Sequence, residues 1–346
     1  MTLDERKRQI LRAIVTDYIN TAEPVGSRTL ARKYLLGISP ATIRNEMADL
    51  EEIGYLQQPH TSAGRIPSDK GYRFYVDVLM DHPLLPEETA TSIRETIQTR
   101  QREIEEAIHH ASYILSYLTN YTAVVLGPMP HERICEHVKL VGLDPNNVLV
   151  VLMTLPGFIE NRLVEVTQPL APEELERASL LLTERLRGTT WGVISAGLIR
   201  EVREIVRNQQ LAEELLHMLG VSSREERVDN LYLEGTTKIL DQPEFKDLEK
   251  VRTVLGIFEG KQMLLEFLAE AAKESGVVVS IGQENRHDEF RDFSFVTASY
   301  ESSGRAVGTL GVIGPTRMDY ARAISAVGCV AGALSELLSE SGKRRR

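Results

Sequence analysis

The stretch SPATIRNEMADLE occupies residues 39–51 and has the pattern of a short amphipathic helix. Ser39 is a typical N-cap, and Pro40 fits the first helical position, where its missing N–H costs no hydrogen bond. Ile43, Met47 and Leu50 recur at helical spacing and form the predicted buried stripe. The side chains that then point away from the core are those of Ala41, Thr42, Arg44, Asn45 and Ala48.

The sequence on either side of this helix predicts the rest of a small domain. Upstream, apolar spacing predicts a helix over Asp4–Asn20, and Ser27 caps a shorter helix that ends at Tyr34. Downstream, Tyr55–Gln58 and Arg65–Pro67 have strand character and flank a turn with Gly64 at its end. Three helices followed by a hairpin is the order of a winged helix-turn-helix, predicted here over residues 1–80.

The third helix carries candidate base-reading residues. A recognition helix presents the side chains near its N-terminus to base edges in the major groove. Arg44 can donate two hydrogen bonds to guanine, and Asn45 can pair with adenine. Ala41 and the methyl of Thr42 can contact a thymine methyl, while the hydroxyl of Ser39 can hold a phosphate.

The hairpin and the second helix carry candidate backbone contacts. Arg65 is placed to enter a minor groove or to bind phosphate, and Arg28 and Lys33 can contact phosphates, which position a protein without specifying sequence. The turn adds further candidates, His60, Thr61 and Ser62. Two alternatives stay open: Arg44 could pair with a neighbouring carboxylate, and a winged helix can also serve as a protein–protein module.

The rest of the chain has a mixed α/β pattern. Residues 81–86 resemble a linker, and a long amphipathic helix is predicted from Ile104 to about Asn120. Strand candidates on both sides of a helical block at 172–219 suggest one α/β domain interrupted by a mostly helical insertion, an α+β multidomain chain overall. They are residues 121–126, 137–143, 148–154, 159–167, 230–234, 277–281, 293–300 and 307–313. A helix over 317–338 is expected to close the fold, before a frayed tail at 342–346.

Charge is distributed unevenly along the 346 residues, whose net charge is −10. The first 80 residues carry 11 Lys and Arg against 10 Asp and Glu, and the remaining 266 carry 29 against 40. DNA binding needs a local basic face and not a basic protein, so the acidic total does not exclude it. The two cysteines indicate a reducing compartment, and no apolar signal segment follows Met1, so a cytoplasmic protein without a membrane association is expected.

Catalytic and metal motifs are absent from the sequence. It contains no GxxxxGK[ST] and no HExxH, and the glycines of Gly308–Gly314 have the wrong spacing for a dinucleotide loop. His131, Cys135 and His137 lack a fourth ligand nearby. We therefore expect no enzymatic activity, no cofactor and no metal.

Three motifs of the N-terminal 80 residues resemble those of HrcA, the bacterial heat-inducible transcription repressor family. They are EPVGSRTL at 23–30, SPATIRNEMADLE at 39–51 and QPHTSAGRIP at 58–67. GVIGPTRMDY at 311–320 is similar to the family's C-terminal signature. The resemblance covers the whole chain in length and order, but it is weak over about 171–275, and residues Lys343–Arg346 match nothing in the family.

The resemblance implies three domains and a function. It implies the winged helix at 1–80, a linker and long helix at 81–120, a GAF-like domain split over 121–170 and 275–342, and an inserted dimerisation domain at 171–274. It further implies a homodimer that binds an inverted-repeat operator, the CIRCE element, upstream of groE and dnaK operons. The chaperonin GroEL/GroES is the implied modulator of the repressor. A ligand-sensing regulator gated by a metabolite in the GAF-like domain is the alternative.

Overall fold

Three helices and a two-stranded hairpin form the N-terminal part of the computed structural model. They are α1 (Glu5–Thr21), α2 (Ser27–Lys33), α3 (Pro40–Glu52), β1 (Leu56–Gln57) and β2 (Ile66–Pro67). The structure describes residues 3–34, 37–61, 63–81, 85–99, 104–127, 134–155, 159–190, 194–219, 230–302 and 304–344.

Local sequence signals explain the starts of α1 and α3. The predicted cap of α2 at Ser27 is wrong, because Ser27 is the first helical residue and the N-cap is Gly26, which offers no side-chain cap. The carboxylate of Asp4 accepts a hydrogen bond from the backbone N–H of Lys7, and Ser39 caps α3 in the same way. The stripes of α1 and α3 pack on each other, with Ile10, Ile14 and Ile43 fully buried. The first and third helices thus lie within about a residue of their predicted bounds.

The hairpin leads into helices that join this part to the rest of the chain. Helix α4 (Asp69–Phe74) continues into a π-helical turn at Tyr75–Leu79, and α5 (Glu87–Thr99) precedes α6 (Ile104–Thr119). After the linker, the sequence pattern predicts α6 but not α5. The buried pair Ile93 and Ile97, four residues apart, was the missed signal.

A five-stranded antiparallel sheet forms the centre of the molecule, in the order β7-β3-β10-β9-β8. Its strands are β3 (Thr122–Leu126), β7 (Leu231–Glu234), β8 (Val277–Ile281), β9 (Phe293–Ser302) and β10 (Arg305–Pro315). The glycines of Gly308–Gly314 lie within β10. A Cβ on Gly311 would stand 2.4 Å from the carbonyl oxygen of Val296, so this glycine allows close strand packing.

Helices cover both faces of this sheet. On one face, α6 and α12 (Tyr320–Arg344) pack in a core that is continuous with the N-terminal helices. On the other, α10 (Leu248–Glu259) and α11 (Lys261–Ala271) enclose an aromatic core that includes Phe245, Phe290 and Phe295. Short 3₁₀ turns lie at Thr236–Ile239, Pro243–Phe245, Gly282–Glu284 and Asp288–Phe290.

Helix α12 differs from its predicted extent and is the single described helix with the length and hydropathy of a membrane span, over Tyr320–Glu340. Half of that span is buried within the protein, where α12 packs on β9 and α6. It is therefore the central helix of a core. It continues to Arg344, six residues beyond the predicted end at Leu338, so residues 342–344 of the expected frayed tail are helical, and 345–346 lie outside the described residues.

A second unit has its own sheet and its own core. The antiparallel strands β4 (Ile134–Asp144), β5 (Asn147–Leu155) and β6 (Ile159–Glu165) pack on α7 (Pro172–Leu186), α8 (Ala196–Val206) and α9 (Gln209–Met218). Hydroxyls of α7 bind the free edge of β4: Ser179 accepts from the N–H of Leu140, and Thr183 accepts from that of Val138.

This pairing groups the chain differently from the expected insertion at 171–274. Strands β4 to β6 and helices α7 to α9 share one core over 134–219. Strand β7 and helices α10 and α11 belong to the five-stranded sheet unit. Along the sequence, β4, β5 and β6 continue the strand-rich pattern of β3. Among the described strands, however, they pair only with one another, and the sequence pattern does not show this.

Candidate nucleic-acid interface

The N-terminal turn of α3 presents a set of free polar side chains to solvent. Ile43, Met47 and Leu50 are buried, which turns Arg44 and Asn45 outward, and both are exposed. Within the described ranges, neither makes a hydrogen bond or an ion pair. Both side chains are therefore available to an external partner.

The hydroxyls at the start of α3 are partly used within the protein. Ser39 Oγ accepts a hydrogen bond from the backbone N–H of Thr42 at 3.1 Å and lies 3.0 Å from Thr42 Oγ1. These contacts fix the first turn of α3. Ala41 is exposed beside them and leaves its methyl free for apolar contact.

Three of the four carboxylates of α3 are paired with cations from other elements, and the exposed Glu52 has no ion-pair partner among the described residues. Lys7 Nζ lies 2.7 Å from Glu46 Oε2 and 3.0 Å from Asp49 Oδ2, and Arg65 Nε donates to Glu51 Oε2 at 2.8 Å. The hydrogen bond to Glu46, followed by that to Asp49, raises the pKa of Lys7. These pairs neutralise acidic groups near Arg44. The neighbouring carboxylates with which Arg44 could have paired are therefore bound by other cations.

The hairpin is held against the α1–α2 turn by backbone bonds. The N–H of Val25 donates to the carbonyl of Arg65, and the N–H of Arg65 donates to that of Val25, both at 2.9 Å. A Cβ on Gly64 would stand 2.3 Å from the Val25 carbonyl oxygen. Only glycine allows this approach without a shift of the backbone.

A glutamine shapes the tip of the hairpin. Gln58 Nε2 donates to the carbonyls of Thr61 and Ala63, at 3.0 and 2.9 Å. His60 and Thr61 are exposed at the tip, and Ser62 lies outside the described residues. Gln58 was not among the predicted site residues, although a glutamine at the start of a polar turn can donate hydrogen bonds to the turn's own carbonyls.

Arg65 ties the hairpin to α3. Its Nε binds Glu51, its side chain is 20% exposed, and no described residue bonds its other two nitrogens. Because a guanidinium has five N–H donors, those nitrogens can still bind a phosphate while the Glu51 contact is kept.

The two candidate phosphate contacts of α2 differ. Arg28 is exposed, and among the described residues it has no ion-pair partner. Lys33 Nζ lies 2.5 Å from Oδ1 of Asp17, whose side chain is 6% exposed. The hydrogen bond to Asp17 raises the pKa of Lys33. Lys33 thus compensates a buried carboxylate, a structural role that the sequence analysis missed.

A second candidate surface is the outer face of the three-stranded sheet, which points away from α7, α8 and α9. On β6, Ile159 and Leu163 are 47% and 60% exposed. In the register they stand opposite Met153 and Leu149, both half-buried, and Val141 is the next neighbour on β4. We call these five residues the outer sheet face. Asn161 lies between Ile159 and Leu163 on the same face, so the exposed apolar residues form a patch and not a continuous apolar surface. Such a patch is typical of a protein–protein contact.

The cysteine–histidine group of the sequence analysis is not assembled in the part of the chain that the structure describes. Cys135 is buried, and burial raises the pKa of its thiol to about 12. His137 lies on the same strand and is exposed, while His131 is outside the described residues. The described residues contain no group of three or more His, Cys, Asp or Glu side chains placed to hold a metal ion.

Known proteins of the HrcA family are similar to this chain over nearly its whole length. The model described as "HrcA protein C terminal domain" matches residues 105–324. The heat-inducible transcription repressor HrcA of Pelotomaculum thermopropionicum is 45% identical over 98% of this chain and 97% of the relative. That of Desulforamulus reducens is 42% identical over 98% of both chains. A crystal structure titled a hypothetical protein shares the fold, with a TM-score of 0.71, 23% identity and coverage of 98% of this chain and 100% of that one.

Proposed function

The chain belongs to the HrcA family of heat-inducible transcription repressors, and from that premise we propose that it binds an inverted-repeat operator of the CIRCE type as a homodimer. The genes controlled are chaperone operons of the groE and dnaK kind. The N-terminal unit acts as a winged helix-turn-helix, and the five-stranded unit acts as the GAF-like domain. The repressor works in the cytoplasm, without a membrane.

One observation carries the proposal: α3 presents Arg44 and Asn45 free, while three of its four carboxylates, Glu46, Asp49 and Glu51, are already paired with Lys7 and Arg65. An unpaired carboxylate at a DNA surface repels phosphate, so this arrangement lowers the repulsion near Arg44. Arg44 then reads guanine and Asn45 reads adenine, with a discrimination of about 1–3 kcal/mol for each bidentate contact. Ala41 and Thr42 support these contacts at thymine methyls, and Ser39 orders the helix start.

The hairpin acts as the wing and positions α3 on the duplex. The free nitrogens of Arg65, the exposed Arg28 and the polar tip at His60, Thr61 and Ser62 contact phosphates or the minor groove. Lys33 contributes positive charge near the backbone while it holds Asp17. These contacts supply affinity that depends on salt, and α3 supplies the sequence preference.

The outer sheet face supports the homodimer. A two-fold axis through a sheet face brings identical apolar residues together, here Ile159 and Leu163 of both copies. Replacing Leu163 with Asp places two carboxylates in that contact and should give monomers in sedimentation equilibrium. The matched control is Leu180→Asp on α7, because Leu180 is 63% exposed on the other side of the same unit. A dimer that survives Leu163→Asp contradicts this choice of interface.

Chaperonin dependence closes a feedback loop in the proposed function. Heat diverts GroEL/GroES to other unfolded chains, the active repressor fraction falls, and the chaperone operons are released. Intrinsic melting is the competing mechanism, since a marginally stable repressor loses its active fraction on warming. A purified dimer that stays bound to the operator well above the shock temperature excludes intrinsic melting. Recovery of binding on adding chaperonin supports the loop.

The experiment that tests base reading compares the chain with Arg44→Ala. We expect the variant to remain a folded dimer, to bind a scrambled duplex as before and to lose its preference for the palindrome. Arg252→Ala on the exposed side of α10 is the control for loss of a positive charge far from α3. An unchanged palindrome preference in Arg44→Ala would remove α3 from the proposal. The metabolite-gated alternative stays a prediction, which thermal shifts with small molecules can test.

A further inference from the structure

The motif at 311–320 contains an arginine that joins the N-terminal unit to the five-stranded sheet unit. Arg317 lies between β10 and α12, and its side chain is 11% exposed. Its Nη1 donates to the carbonyl of Ile19 in α1 at 2.5 Å, and its Nε donates to Glu244 at 2.6 Å. Its Nη2 donates to Gln242 at 3.2 Å. One guanidinium therefore binds the end of α1 and the 3₁₀ turn at Pro243–Phe245 at the same time.

A second arginine makes a similar connection from the other side. Arg73 of α4 binds the carboxylate of Glu284 through two nitrogens, at 2.8 and 2.5 Å, and its Nη2 donates to the carbonyl of Val279 in β8 at 2.7 Å. Beside it, the backbone N–H of Gln283 donates to the carboxylate of Asp69 at 3.0 Å.

The two connections flank a packed aromatic contact. Tyr72 of α4 and Tyr320 of α12 are both buried, with ring centroids 5.9 Å apart. Helix α4 is in turn fixed to the hairpin and α3, since Phe74 packs on Tyr55 with centroids 5.3 Å apart. The orientation of α3 is thereby set by contacts that reach the five-stranded sheet unit.

We propose that Arg317 and Arg73 are positioning residues that set the orientation of each recognition helix within the dimer, and so the half-site spacing that the dimer accepts. This inference rests on the proposed function. A dimer reads a palindrome in one step only when its two recognition helices are held at the spacing of the half-sites. A rigid attachment raises the effective concentration of the second helix at its half-site, and a loose attachment lowers it while tolerating other spacings.

The test measures spacing preference and half-site affinity separately. The full-length protein is titrated against the palindrome, against the same half-sites with five base pairs added between them, and against one half-site alone. Five base pairs turn the second half-site by about half a helical turn. Arg317→Lys keeps the charge next to Glu244 but lacks the fork that reaches Ile19 and Glu244 together.

We expect Arg317→Lys to bind a single half-site as tightly as the parent protein. The ratio of its affinity for the palindrome to its affinity for the duplex with five added base pairs should fall roughly tenfold. Arg286→Lys is the control, because Arg286 pairs with Glu270 and both residues belong to the five-stranded sheet unit. An unchanged spacing ratio overturns the inference, and so does an equal loss of half-site affinity, which would mean a merely structural role. If Arg317→Lys does not fold, the same titrations are made with Arg73→Lys and judged by the same criteria. The side chain of Arg73 is 30% exposed, so its replacement disturbs the core less. A parent protein that shows no preference for the palindrome contradicts the proposed function instead.

Discussion

Replacing Gly64 with Ala is expected to detach the hairpin from the α1–α2 turn. The added Cβ would stand 2.3 Å from the carbonyl oxygen and 2.5 Å from the carbonyl carbon of Val25. Both atoms belong to backbone, so the clash is relieved only if the two segments separate. Separation breaks the two hydrogen bonds of 2.9 Å between Val25 and Arg65. At about 0.5–1.5 kcal/mol net for each bond, the local opening free energy should fall by about 1–3 kcal/mol.

Hydrogen exchange measures this quantity directly. We expect the amides of Val25 and Arg65 to lose protection by roughly 5- to 150-fold, the factor that corresponds to this free energy. Operator affinity should fall as well, because the hairpin no longer supports α3. Gly256→Ala in α10 is the control, since a Cβ there meets no described atom within 4 Å outside the helix's own backbone, and alanine favours a helix. Unchanged protection in Gly64→Ala would refute the close-approach argument.

Two further predictions concern the hairpin and the insertion. Arg65→Ala should weaken binding to palindrome and scrambled duplexes alike and lower the slope of log affinity against log salt by about one, whereas a loss confined to the palindrome would contradict a phosphate contact. Cys135, with 1% exposure and a thiol pKa raised by burial to about 12, should be alkylated at pH 8 far more slowly than Cys329 until the insertion unfolds; equal rates in the native protein would contradict its burial.

Local signals in the sequence were sufficient for most individual elements of the N-terminal unit. The N-cap at Ser39, the stripe of Ile43, Met47 and Leu50, and the glycine at 64 each act within a few residues of the element they define. Element existence follows from such short-range chemistry. Helix α5 was missed because its apolar stripe is short and is completed by packing on α12, a partner distant in sequence.

Long-range pairing could not be obtained from the same signals. Nothing near β7 in the sequence shows that it pairs with β3, so its place in the five-stranded sheet could not be predicted. Ion pairs could not be predicted for the same reason. The partner of Lys33 is Asp17 on another helix, and the partner of Arg65 is Glu51 of α3. Neither pairing is indicated by the residues that lie next to Lys33 or Arg65 in the sequence.

The most direct test of the central claim is a titration of the purified protein against three duplexes at one stated salt concentration: the inverted repeat, a single half-site and a scrambled sequence. The account predicts two protomers bound per inverted repeat, weaker binding to the half-site and only weak, salt-sensitive binding to the scrambled duplex. Equal affinity for the inverted repeat and the scrambled duplex, with chaperonin present to maintain the fold, would contradict it.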